Sequence, residues 1–352
     1  MKRNTSIFVI TIMLLLSAIS FTSCSQDLAT PQNLENAKNV FDSKLISDLE
    51  AANSDFMKNS IAARDKNPNK PGWTKKEKIN VVLSDCAGAW KGARGGVNIG
   101  SKIGVFFGQP HTGAVVGGII GGVVCGGAAS WLVAPEDKPE DKPEPKPGTK
   151  PQKAPVYSGR DSLNTKYPDV TGKFGSIVGP NMEVKDSVIF KSEAVKKKVD
   201  LDNATLSKIT LNQQQLNFGR MHNILLSALD GSSTFSGSEI CHSNDSVYNA
   251  IINSEETKEL YDMVLSDTRN GMFFGSDSKS EYVMQLFSEV FENCVENDED
   301  ITVVINRYAE LINASDELTE DEKNCILSGI ATALYSLNYW SVKPLKEDIY
   351  EK

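Results

Sequence analysis

The chain of 352 residues holds three histidines, His111, His222 and His242, and six cysteines. None of the histidines has the i, i+4 spacing with an intervening glutamate that a helical zinc site uses. His222 and Asn223, in "GRMHNILL", stand beside an apolar stripe and form the most suggestive pair for a site in the helical region. The commoner role for such a residue is a histidine at the boundary of the apolar stripe, hydrogen-bonded locally. Cys241 and His242 are adjacent in sequence, which does not aim a thiolate at an imidazole, and no cysteine-protease signature surrounds them. "GARGG" and "GSKIG" bring glycine, lysine and serine together without completing a phosphate-binding loop. "GSSTFSG" lacks the spacing of a nucleophile elbow. Asp298 and Asp300 belong to an acidic, solvated cluster. The residues therefore predict no catalytic group, no metal site and no cofactor, and a non-enzymatic protein; a hidden hydrolase would have to centre on His222.

The spacing that does stand out is written in glycine. Residues 86–130 carry fourteen of the 26 glycines. Gly88, Gly92, Gly96, Gly100, Gly104 and Gly108 recur at every fourth residue. Glycine costs about 1 kcal/mol per residue against alanine in a helix, so a helical spacing of glycines predicts close backbone approach rather than helix propensity. On a wheel of about 100° per residue these glycines wind through about 200°, while Lys91, Arg94, Asn98 and Lys102 fall between about 240° and 320°. That polar stripe is expected to face water, headgroups or a pore lumen. After "GQPH", residues 112–133 carry no charge, and Gly113, Gly117 and Gly121, with Gly118, Gly122 and Gly126 one position over, keep the four-residue step. This segment makes about 33 Å of helix against a hydrocarbon core of about 30 Å, with Trp131 placed as an interfacial aromatic. In lipid the backbone must be bonded internally, which forces helix whatever the propensity.

On the run at 88–108 and on "GAVVGGIIGGVVCGG", the block resembles the two-span glycine-zipper segments of bacterial lipoproteins and, in this segment only, the mature peptides of two-peptide class II bacteriocins. The bacteriocins' double-glycine leader is absent, replaced by an export signal, and the resemblance spans about 45 residues. It implies helix packing and contact with membrane lipid, with self-association or a second glycine-zipper helix as partner.

The elements around this block follow from composition. "MKRNTSIFVITIMLLLSAISFTSC" has the basic start, apolar centre and small residues of a signal peptide over 1–23. Cys24 stands where a lipoprotein signal carries its lipidated cysteine, and the segment resembles the looser lipobox of Bacteroidetes-type lipoproteins, with Phe21 where leucine is usual. The expected location is the bacterial cell envelope, at the outer membrane by a lipid anchor; ordinary cleavage near Ser20 or Ser23 would give a secreted protein. Five cysteines after Cys24, without C-x-x-C spacing, are expected to act mostly as small buried apolar groups. The net charge of −9 excludes a dedicated nucleic-acid binder.

The chain then divides into a tether at 24–72, a glycine-zipper helical hairpin at 73–134, a Pro/Lys/Glu linker at 135–155, an irregular segment at 156–205 and an all-α domain at 206–352. The tether holds one possible helix with Val40, Leu45, Ile46 and Leu49 on a face. The irregular segment has possible strands at "GSIVG" and "SVIFK". Five or six helices are expected in the last domain, including a stripe of Leu211, Phe218, Met221, Leu225 and Leu229 ending at Gly231, and a capping box at Ser254. The fold class is mainly α: a hairpin and a separate small all-α domain joined by a proline-rich linker. The functional expectation is an envelope lipoprotein whose hairpin packs or inserts at the membrane and presents the helical domain, with no protein partner indicated for that domain. The alternative is a secreted, bacteriocin-like, membrane-permeabilising protein.

Overall fold

The computed structural model describes residues 43–59, 74–134, 188–235, 246–275, 278–296 and 300–341. They are mostly helical. In chain order the elements are α1 (Lys44–Asn59), α2 (Lys75–Phe106), α3 (Pro110–Val133), β1 (Val188–Phe190), α4 (Glu193–Val199), α5 (Asn203–Leu206), α6 (Gln213–Leu229), β2 (Ser233–Phe235), α7 (Ser246–Ile252), α8 (Glu255–Arg269), α9 (Lys279–Glu296), α10 (Ile301–Ala314) and α11 (Glu320–Ser341). The strands β1 and β2 pair antiparallel, with Ile189 opposite Thr234.

Helix starts are fixed by short polar side chains. Thr74 and Glu77 form a reciprocal capping box on α2: Glu77 N–H donates to Thr74 Oγ1 at 3.2 Å and Thr74 N–H donates to Glu77 Oε2 at 2.7 Å. Asn212 and Gln215 do the same on α6, and Thr319 with Glu322 on α11. Ser254 caps α8 by accepting the Thr257 N–H, but Thr257 stands where the return half of a capping box needs Glu or Gln. Pro110 occupies the first turn of α3, where its missing N–H costs nothing.

Two expectations about organisation do not hold. The glycine hairpin, α2 with α3, is not set apart from the C-terminal helices. One hydrophobic core runs through Val82 and Trp90 of α2, Ile120 and Val123 of α3, Ile224 and Leu225 of α6, Phe287 and Phe291 of α9, Tyr308 of α10 and Ile330 of α11. The region from Lys44 onward accordingly forms one compact unit. The helix in the supposed tether is likewise part of that body. Leu45, Ile46 and Leu49 of α1 are buried, and Asn53 Nδ2 donates to the Leu286 carbonyl at 2.8 Å while its Oδ1 accepts from the Tyr308 hydroxyl at 2.9 Å. The physical reason is the same for both. A helix as apolar as α3 needs cover in water, and the amphipathic helices downstream supply it whatever the length of chain between them. Strand β1 falls within "SVIFK", whereas α4 lies in a stretch expected to be irregular.

Candidate functional site

The seam between α2 and α3 is built of facing backbones. A Cβ on Gly92 would fall on the carbonyl oxygen of Gly121, one on Gly96 on that of Gly117, and one on Gly100 on that of Gly113. The relation is reciprocal, since a Cβ on Gly113, Gly117 or Gly121 would meet the carbonyl oxygens of Gly100, Gly96 and Gly92. Four-residue spacing on both helices of an antiparallel pair therefore puts glycine against glycine at successive levels. At the open end the row passes to Gly88 against Cys125 and Ala129, with 2.8 Å from a Gly88 Cβ to the Cys125 carbonyl oxygen. Towards the turn, Gly104 lies against the backbone of Gln109 and Pro110. Gly108 departs from the expected row: it has φ +68° in the turn, a Cβ added there would meet nothing within 4 Å, and it closes α2 rather than packing it.

The second glycine row of α3 also receives side chains from other helices. Gly118 takes Val97 of α2, Gly122 takes the ring of Phe218 from α6, and Gly126 sits 3.2 Å (from an added Cβ) from the His222 ring. Gly127 accepts Leu225, Gly95 on α2 accepts Leu260 of α8, and Gly329 on α11 lies under Trp90. Glycine thus serves twice, letting backbones meet inside the hairpin and opening notches for the surrounding helices.

The polar stripe of α2 is split. Lys91 Nζ contacts Asp267 Oδ2 of α8 at 2.6 Å and donates to the Met272 carbonyl at 2.9 Å. Arg94 lies 3.6 Å from Glu281 Oε1 of α9 and 5.8 Å from the centre of the Trp90 ring. These two cations meet carboxylates of the body, Lys91 largely covered and Arg94 with 42% of its side chain still exposed, while Asn98 and Lys102 are exposed. Lys91 and Arg94 are held because α8 and α9 each present a carboxylate at the open half of the hairpin. Among the described residues no carboxylate pairs with Lys102, nearer the turn.

A polar cluster joins α2, α6 and α11. Asp85, His222, Asn223 and Ser336 are all fully buried. Asp85 Oδ2 accepts from the Ser336 hydroxyl and, at 3.3 Å, from Trp340 Nε1, and lies 3.7 Å from His222 Nε2. His222 Nδ1 faces Asn223 Oδ1 at 3.2 Å, and Asn223 Nδ2 donates to the Tyr335 carbonyl at 2.8 Å. Asp85 Oδ1 and His222 Nε2 are buried without a hydrogen bond. His222 is therefore no boundary residue but an interior one. The serine donates to the aspartate and not to the histidine, so these groups do not form a nucleophile–base relay. Their arrangement ties three helices together at a polar point inside an apolar core. Asp85 was not singled out from sequence, although it is a lone acid in the apolar run "VVLSDCAGAW".

Burial also fixes the thiols. It pushes Cys125 and Cys325 up to about 12 and raises Cys86 further, with the neighbouring Asp85 adding to the effect at Cys86. Such thiols are poor nucleophiles and poor metal ligands. Among the described residues no three His, Cys, Asp or Glu side chains gather as a metal site. Cys24, Cys241, His242, Asp298 and the linker at 135–155 lie outside the described residues.

The turn of the hairpin is different in kind. Val105, Phe106 and Phe107 are 62%, 88% and 40% exposed. Beside them α3 is long and apolar enough to cross a membrane, with 78% of its most apolar window buried inside the protein. Comparison with family models, with curated proteins and with solved structures gives no match.

Proposed function

We propose that the protein is a non-enzymatic lipoprotein of the bacterial envelope. In this reading Cys24 carries the lipid anchor, and the glycine hairpin packs at the membrane as the core of a helical body and does not span the bilayer. The observation that carries this choice between packing and spanning is the cover on α3: its most apolar window is 78% buried by the protein's own helices. A helix with that much protein around it does not need lipid on its sides. The charge contacts of Lys91 and Arg94 support the same choice, because insertion of the hairpin would have to break both of them.

Cys24→Ala tests this reading by fractionation. Loss of lipid labelling, with transfer of the chain from the membrane pellet to the soluble fraction, is the expected result. A Cys24→Ala chain that stays in the pellet through an alkaline wash would show a spanning hairpin, and wild-type chain without lipid label would sink the lipoprotein assignment.

A second reading, a membrane-permeabilising protein, is favoured by one particular feature. The 24-residue α3 is charge-free and held by amphipathic helices, so that unwrapping them would free one span-length apolar helix. Dye release from vesicles by the full chain is its test; inert protein at all concentrations would oppose it.

A further inference from the structure

We infer that the turn of the hairpin, Val105–Phe106–Phe107 with Lys102, is the surface that seats against a lipid bilayer carrying anionic headgroups. This inference rests on the envelope reading above and names the part of the chain that makes the contact.

The apolar residues at the turn are contiguous and rigidly held, unlike scattered exposed hydrophobics, which are ordinary on a protein surface. Phe107 N–H donates to the Gly104 carbonyl at 3.1 Å, Gly108 N–H to Val105 at 3.1 Å and Gln109 N–H to Gly104 at 2.8 Å. Gly108 at φ +68° and Pro110 at the start of α3 then reverse the chain within a few residues. A turn closed in this way presents its rings from a backbone already ordered, so binding has only the side chains left to order. Phe106, 88% exposed, projects fully into solvent. Aromatic and aliphatic side chains at a tip of this size reach the boundary between headgroups and acyl chains without requiring a span.

The hairpin's own charge favours an anionic surface. Between Asp85 and Glu136 the sequence has no Asp or Glu, although the whole chain carries −9. Of the cations in that stretch, Lys91 and Arg94 are engaged with carboxylates of the body, and the exposed Lys102 sits one turn before Phe106. A cation beside exposed rings suits a surface where apolar insertion and headgroup attraction act together. The seam glycines are occupied within the chain, so what the hairpin offers outward at this end is the turn and not a zipper groove.

The test uses the chain from residue 24 onward carrying Cys24→Ser, so that no lipid chain contributes to binding. It is sedimented with phosphatidylethanolamine vesicles, with and without phosphatidylglycerol. Binding is expected to be stronger with phosphatidylglycerol. The double variant Phe106→Ser/Phe107→Ser should lower the partition coefficient about a hundredfold or more, as expected for removing two inserted rings, and Lys102→Glu should abolish the preference for the anionic vesicle. Phe106 is 88% exposed, so Phe106→Ser alone should weaken binding without moving the melting temperature, which separates lost contact from lost fold. Equal binding by wild type and double variant, or no binding of wild type to either vesicle, overturns the inference. So does a concentration-dependent self-association removed by the same substitutions without vesicle binding, which would assign the turn to a second copy of the chain. Lipid labelling and fractionation at Cys24 are read independently, so the envelope reading can stand while this one fails.

Discussion

At the scale of single residues, the distinction that matters is between glycines facing backbone and glycines facing a movable side chain. An alanine at Gly96 must push the Gly117 carbonyl aside, whereas one at Gly95 meets the end of Leu260. Overpacking costs typically about 1–3 kcal/mol, and replacing a helical glycine returns about 1 kcal/mol. With rigid backbone in the way, Gly96→Ala should lie at the upper end, a net loss of about 2 kcal/mol or a fall of about 4–8 °C in Tm. Gly95→Ala should be close to neutral, because Leu260 can turn. Thermal unfolding of the two variants checks this; equal effects would mean that the seam yields as a side chain does. The buried thiols give a second check at this scale. Alkylation at mildly alkaline pH should leave Cys86, Cys125 and Cys325 unmodified in the folded chain and modify them after denaturation, as read by peptide mass spectrometry. Since the folded thiols are raised above their usual range, raising the pH towards it does not expose them as thiolates. Labelling of native Cys125 would mean that the seam opens.

At the scale of elements, the sequence pattern and the packing part company at a definite point. The four-residue glycine step, the uncharged run and the break at "GQPH" were sufficient to place both helices and their turn, because close approach of two backbones leaves no other residue type possible. The partners of the second glycine row were not legible. Nothing in "GAVVGGIIGGVVCGG" says that Gly122 receives Phe218, since that depends on how α6 lies across α3. The stripe on α6 was visible as apolar, but its target was assigned to a domain of its own. His222 was visible as a polar interruption of that stripe, while its neighbour Asp85 lies 137 positions earlier in the chain, beyond any local period. The Phe218 notch provides a direct test at this scale. Gly122→Ala should destabilise the protein, since its Cβ meets the aromatic ring, and Phe218→Leu, though costly by itself, should cost less in the Gly122→Ala background. A double-mutant cycle measured by urea unfolding reads this as a coupling of about 1 kcal/mol. Strict additivity would mean that α3 and α6 do not meet there.

At the scale of the whole molecule, the proline-rich stretch at 135–155 reads by composition as a separator of two bodies, and composition does not show that the chain beyond it returns to cover the hairpin. An apolar helix read alone suggests lipid as its environment; read with α6, α8 and α11 around it, the same helix has protein as its environment. Hairpin and C-terminal helices share one core and should therefore unfold as one cooperative unit. Hydrogen exchange on the chain from residue 24 onward with Cys24→Ser, in detergent-free buffer, tests it most directly. A dispersed protein is expected, in which amides of 116–130 and of 326–336 are protected to the same degree and exchange through the same global opening. Exchange of 116–130 well ahead of 326–336, or a chain that stays dispersed only in detergent, would contradict it.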